Sequence, residues 1–169
     1  TVTCNGVSTS MSVNSNAANV TYQWQVDDGT GFVNTTDGAA YSGSATKMLN
    51  ILTPGLSADG YKYRCILNNG CAANTSDTSV LTVQAAPVVT ADPVNSHVCQ
   101  HTPTSFSVTA TGAGLTYQWQ VNDGSSWANV PVSTAYSGNN SATLNVQNPQ
   151  PSQNGYAYRC VVKGNCLPS

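Results

Sequence analysis

Apolar and polar residues alternate with period two along the ordered-looking stretches of the chain. In Tyr22-Gln23-Trp24-Gln25-Val26 every second residue is apolar, and Tyr61, Tyr63, Cys65 and Leu67 recur at the same spacing. Successive strand residues face opposite sides of a sheet, so this spacing predicts half-buried strands. Met11 with Val13, Leu49 with Ile51, and Leu81 with Val83 predict three shorter strands. Between them stand the turn signals Asp28-Gly29, Ser42-Gly43, Asp59-Gly60 and Asn69-Gly70, dipeptides that supply the backbone angles a tight reversal needs. Many short strands at such intervals predict an all-β sandwich.

The pattern occurs twice. At an offset of 95 residues Cys4 falls on Cys99, Thr21 to Val26 on Thr116 to Val121, Ala40 to Gly43 on Ala135 to Gly138, Tyr63-Arg64-Cys65 on Tyr158-Arg159-Cys160, and Cys71 on Cys166; 29 of 74 aligned positions are identical without a gap. A fixed period of this length means two copies of one module. The expected domains are 1–85 and 86–169, with a short, proline-stiffened joint around Ala85 to Pro87. Val88 to Ala91 reads as the first strand of the second copy, ended by Pro93 at an edge position. The first copy has no counterpart of that strand, and the second stops before any counterpart of Ser79 to Val83. Both ends are therefore expected to be cut inside a module of a longer array.

Composition narrows the function classes. Ser, Thr and Asn make up about a third of the 169 residues and Glu is absent, which disfavours helix and favours strands and turns. Only 7% of residues are charged; without a basic stripe to neutralise phosphates, no nucleic-acid partner is expected. The apolar runs are far short of a bilayer span, so no membrane crossing is expected in this segment. Tyr22, Trp24, Tyr63, Tyr117, Trp119 and Tyr158 alternate with polar neighbours and are assigned to the core.

The strand carrying Trp24, and the Gly60-Tyr61-Lys62-Tyr63-Arg64-Cys65 strand preceded by Asp59, resemble strands C and F of the immunoglobulin sandwich. The combination of Val98-Cys99, Tyr117 to Val121, Asp123 to Trp127, Tyr136 to Gly138 and Gly155 to Cys160 resembles the immunoglobulin-like repeats of large secreted and surface proteins of Bacteroidota. The resemblance covers nearly the whole chain. It implies two tandem immunoglobulin-like β-sandwich domains joined by a short linker, in an extracellular or cell-surface bacterial protein. Further modules of the same chain are the implied partners, with neighbouring copies in a filament or a surface glycan as others, and no cofactor. Tyr63 and Tyr158 would form the tyrosine corners of that fold, each hydroxyl bonded to backbone.

One departure bears on the cysteines. The strand B position holds Val13 and Val108 instead of cysteine. The first strand of such a domain runs beside its last, which implies disulfides between Cys4 and Cys71 and between Cys99 and Cys166, leaving Cys65 and Cys160 as buried thiols. Pairing of Cys4 with Cys65 is the open alternative, because sequence does not fix connectivity. Either arrangement implies an oxidising compartment.

Candidate chemistry is sparse. His97 and His101 flank Cys99 at alternating positions, a spacing that lets two imidazoles and a sulfur face one metal, but the first copy has Val2 and Gly6 there, so surface histidines are expected. Asp27-Asp28-Gly29 and Asn122-Asp123-Gly124 suit a hairpin turn, and a calcium site would need more oxygens than these supply. Phe32 and Trp127 are the rings that could face a ligand. Packing against the sheet is the favoured reading, and stacking on a sugar is the alternative. The expected function is a non-catalytic structural or adhesive module, not an enzyme; the alternative is a carbohydrate-binding accessory module of a secreted polysaccharide-degrading enzyme.

Overall fold

The computed structural model describes residues 1–166. It divides into two compact units, Thr1–Ala85 and Ala86–Ser169; the expectation that the second copy is cut after Ser169 falls outside the described residues.

The first unit holds ten strands: β1 (Val2–Cys4), β2 (Thr9–Ser12), β3 (Thr21–Asp27), β4 (Phe32–Asn34), β5 (Tyr41–Ser42), β6 (Met48–Ile51), β7 (Lys62–Asn68), β8 (Ala73–Thr75), β9 (Ser79–Val80) and β10 (Thr82–Gln84). One sheet has the order β2-β6-β5 and the other the order β4-β3-β7-β8, with β9 also on β7; β1 and β10 form a separate pair, parallel where all the others are antiparallel. The second unit holds β11 (Val88–Ala91), β12 (Thr104–Ser107), β13 (Thr109–Thr111), β14 (Thr116–Asn122), β15 (Trp127–Asn129), β16 (Tyr136–Ser137), β17 (Thr143–Val146) and β18 (Ala157–Lys163). Its sheets have the orders β12-β17-β16 and β15-β14-β18, and β11 pairs with β13. This is an all-β, immunoglobulin-like architecture in both units.

The alternating residues meet across the two sheets of each unit. Met11, Leu49 and Ile51 from one sheet pack with Trp24, Val26, Tyr63 and Cys65 from the other, and Leu81 and Val83 of the β9–β10 segment close the same cluster. In the second unit Val108, Trp119, Val130 and Leu144 form the buried cluster. Tyr22, Tyr117 and Tyr158 are half-buried against these cores. The cross-strand register is the same twice: Trp24 opposes Cys65 and Val26 opposes Tyr63, while Trp119 opposes Cys160 and Val121 opposes Tyr158.

Burying tryptophan requires a partner for its N–H. Trp24 Nε1 donates to the Thr46 carbonyl and Trp119 Nε1 to the Ser141 carbonyl, both at 2.9 Å. Those carbonyls belong to the turn after Tyr-Ser-Gly, where Gly43 and Gly138 have φ of 80° and 79°. A Cβ at either glycine would run into the carbonyl oxygen of Met48 or Thr143. Only glycine fits both the angle and the close approach.

Candidate functional site

The outer face of the β3–β7 sheet carries a polar network built identically in both units. In β3 Gln25 points away from the core, since its neighbours Trp24 and Val26 point inward. Its Oε1 accepts from Arg64 Nε at 2.8 Å and its Nε2 donates to Asn34 Oδ1 at 2.8 Å. The Arg64 guanidinium lies 3.9 Å from the centre of the Phe32 ring. The counterparts repeat this: Arg159 Nε donates to Gln120 Oε1 at 2.9 Å, Gln120 Nε2 donates to Asn129 Oδ1 at 3.1 Å, and the Arg159 guanidinium lies 4.2 Å from the Trp127 ring centre. Cation–π contact with a guanidinium stabilises such a ring at the surface. Phe32 is half-buried and Trp127 is 37% exposed. Each ring thus has one face covered by an arginine of its own sheet. Sequence reasoning assigned no role to Arg64, Arg159, Gln25 or Gln120. The signal that would have found them is that these outward-facing residues are identical at the 95-residue offset, although outward positions need not match for the core to form.

The tyrosine hydroxyls depart from the arrangement that the resemblance implied. Tyr63 is 1% exposed, and its hydroxyl meets the hydroxyl of Tyr41 at 3.4 Å rather than a backbone group. Tyr158 and Tyr136 pair in the same way at 3.2 Å, with Gln153 Nε2 donating to Tyr136 Oη at 2.7 Å. The physical reason is the short β5 or β16 strand, which brings a second tyrosine from the opposite sheet within reach. Burial pushes the Tyr63 and Tyr158 phenols well above the ordinary tyrosine range, and the hydroxyl partner adds to the shift.

The cysteines also differ from expectation. Cys4 and Cys166 each belong to a disulfide, whereas Cys71 and Cys99 are exposed free thiols, so neither the pairing of Cys4 with Cys71 nor that of Cys99 with Cys166 is formed. The direction of β1 explains the first. β8 pairs with the end of β7 and β9 with its beginning, so the chain runs back along β7 from the turn holding Cys71. β1 runs parallel to β10 and sets Cys4 beside Gln84, at the opposite end of the unit from that turn. The alternative of Cys4 with Cys65 is not formed either, because Cys65 is a free, buried thiol. Cys160 is a free thiol and half-buried. Desolvation raises the pKa of both Cys65 and Cys160, which lowers their thiolate fraction at neutral pH.

The carboxylates are engaged by their own turns. Asp27 Oδ1 accepts from the backbone N–H groups of Gly29 and Gly31 at 2.9 Å each, and Asp28 Oδ1 accepts from Thr30 N–H and Oγ1. Asp123 binds Ser125 in the same manner, while Asn122 Oδ1 accepts from Gly124 N–H. These hydrogen bonds hold Asp27, Asp28 and Asp123 below the usual carboxylate range. His101 Nδ1 meets Asn148 Oδ1 at 2.5 Å, and His97 is exposed. Among the described residues no cluster of His, Cys, Asp or Glu is arranged to hold a metal ion, and no helix is long and apolar enough to cross a membrane.

Solved structures of similar shape are multi-domain immunoglobulin proteins. The I-band fragment I67-I69 from titin matches with a TM-score of 0.53 and 14% identity, over 98% of this chain and 57% of that one. The N-terminal four Ig domains of Dscam1 isoform 1.9 match with a TM-score of 0.50 and 19% identity, over 98% of this chain and 40% of that one. The chain therefore spans about half the length of these neighbours or less, and at such identity the likeness is one of fold. No family pattern matches the chain, and no curated protein does.

Proposed function

We propose that the chain is a pair of non-catalytic repeat modules of a long extracellular bacterial protein, serving as a stalk, spacer or filament element. The observation that carries this reading is the duplication of polar contacts. In both copies the tyrosine hydroxyls bind each other, the arginine covers the aromatic ring, and a turn aspartate binds its own backbone. These polar side chains are thus spent on holding each copy together. A disulfide suits an oxidising compartment, and the Bacteroidota-type resemblance of the motifs supplies the bacterial surface setting. The complete polypeptide sequence is the test: further modules of this type are expected, and their absence overturns the array.

Carbohydrate binding is the second reading, because Trp127 is more than a third exposed. Arg159 covers one face of that ring, so a sugar would have to stack on the other. A glycan array blank for the 169-residue chain, with no sugar-dependent change in Trp127 fluorescence, removes this reading.

A further inference from the structure

Basic side chains are few in this chain and are not scattered. Of the five Lys and Arg residues, Lys62 and Arg64 lie on β7, Arg159 and Lys163 lie on β18, and Lys47 alone lies elsewhere. Alternation fixes where they face. Tyr63, Cys65 and Leu67 of β7 and Tyr158, Cys160 and Val162 of β18 pack against the cores, so the residues that alternate with them project from the outer face of each sheet. Each unit therefore sets two cations on the face that also carries Phe32 or Trp127.

The two faces differ in charge balance. In the first unit Asp27 stands in register with both Lys62 and Phe32. Its counterpart in the second is Asn122, in register with Ala157 and Trp127. β14, β15 and β18 contain no Asp or Glu, and Asp123 in the adjoining turn is taken up by Ser125. The second face thus keeps both of its positive charges. Arg159 is only partly engaged there. Its Nε donates to Gln120 Oε1 at 2.9 Å and its guanidinium lies 4.2 Å from the Trp127 ring centre. Among the described residues its two terminal amino groups have no hydrogen-bond or ion-pair partner. Gln120 is in turn held by Asn129 at 3.1 Å, which steadies the plane of the arginine. A planar guanidinium held in this way presents a fork that fits a carboxylate.

We propose that the outer face of the β15-β14-β18 sheet binds an acidic polysaccharide, with one uronic acid ring at Trp127 and Arg159 and a further carboxylate of the same polymer at Lys163. The proposal rests on the carbohydrate-binding reading and adds the charge of the sugar. The C–H face of the pyranose packs on the indole surface that Arg159 leaves free. Its carboxylate accepts two N–H groups from the guanidinium fork, a charge-assisted pairing with fixed geometry. Asn129, whose Oδ1 is taken by Gln120, offers its amide N–H groups to a sugar hydroxyl. Lys163 follows four residues along β18, about 13 Å away, where a polymer lying along the strand brings its next acid. An acidic peptide would meet the two cations but gives the indole no saturated ring to stack on. The first unit is the weaker site, because Asp27 beside Phe32 repels a carboxylate and Phe32 itself is half-buried.

The test uses the 169-residue chain with oligomers of galacturonate, glucuronate and mannuronate, and with their methyl esters, which keep the ring and lose the charge. Trp24 and Trp119 are 2% and 0% exposed, so a sugar-dependent change in tryptophan fluorescence reports Trp127. At least one uronate is expected to bind, at least about tenfold more tightly than its ester, as the loss of a charged hydrogen-bonded pair requires, and more weakly as salt rises. Arg159→Gln should abolish the preference for the acid, and Arg159→Lys, which keeps the charge without the fork, should retain part of it. Lys163→Gln should weaken binding by a smaller factor, and Lys47→Gln, away from this face, should change nothing. Equal binding of acid and ester, or binding of neutral glycans alone, overturns the proposal and leaves the carbohydrate reading standing. A blank on every sugar removes both. An equal response to polyaspartate, or a loss in K47Q as large as in R159Q, also overturns it, since the chain would then attract anions at large.

Discussion

The two units share the register of their central strands, tryptophan anchoring and surface network, yet the first core is closed over Tyr63 and Cys65 and the second is the more open around Tyr158 and Cys160. In the first unit a single short segment covers the core. Leu81 and Val83 cover the first core, where Tyr63 and Cys65 are inaccessible, whereas Tyr158 and Cys160 are half-buried in the second. Two buried apolar side chains, Leu81 and Val83, thus shield the inner faces of both sheets in the first unit. The comparison also separates what makes the sandwich from what seals it. Trp24 and Trp119 are both buried, so the central packing of tryptophan against the opposite sheet is the same in the two units.

The largest expected effect comes from making the closed unit resemble the open one. Leu81→Ala removes a fully buried side chain and should cost the first unit about 2–5 kcal/mol. Chemical denaturation followed by hydrogen exchange within residues 1–85 would measure it. Alkylation of Cys65, slower than that of Cys160 in the unaltered chain because its thiol is better covered, should become as fast as at Cys160 or faster. If Cys65 labelling does not change, the strand is not what shields the core.

A second expectation concerns what the units share. Gly43→Ala and Gly138→Ala each force a side chain into the left-handed region and onto a carbonyl of the following strand. Each should destabilise its own unit by about 1–3 kcal/mol, to the same extent in both, as read from separate thermal or denaturant transitions. A large inequality would mean that the open unit relaxes around the turn where the closed one cannot.

Much of this was legible in the sequence, for identifiable reasons. The alternation around Trp24 and Tyr63 has one interpretation at period two, and duplication at a 95-residue offset confirms the pairing of β3 with β7 by repeating it in β14 and β18. Cysteine pairing was not legible in the same way. It depends on which end of β10 the end of β1 reaches, and that follows from a parallel pairing no local pattern encodes. The tyrosine pair escaped notice because Tyr41 and Tyr63 lie on different sheets, 22 residues apart.

The smallest expected effect distinguishes the two hairpin turns by their response to acid. In the first unit Asp27 accepts from Gly29 and Gly31, and in the second Asn122 accepts from Gly124 with no charge. The backbone bond from Gly29, then that from Gly31, lowers the Asp27 pKa below the ordinary aspartate value of 3.8, with Lys62 adding a weaker attraction. A carboxylate whose folded pKa is depressed contributes stability above its unfolded value, and that contribution is lost as pH falls through the lower folded value. The Gly29 and Gly31 amide resonances should therefore titrate with a midpoint below 3.8, and Asp27→Asn should abolish that titration while keeping the turn, as Asn122 does in the second unit. Since the Asp27 carboxylate lies in a surface turn, water screens most of the interaction, and the change in overall stability should be small. A midpoint at or above 3.8 would show that the carboxylate does not hold these two amides in solution, and the two turns would then differ in charge without differing in function.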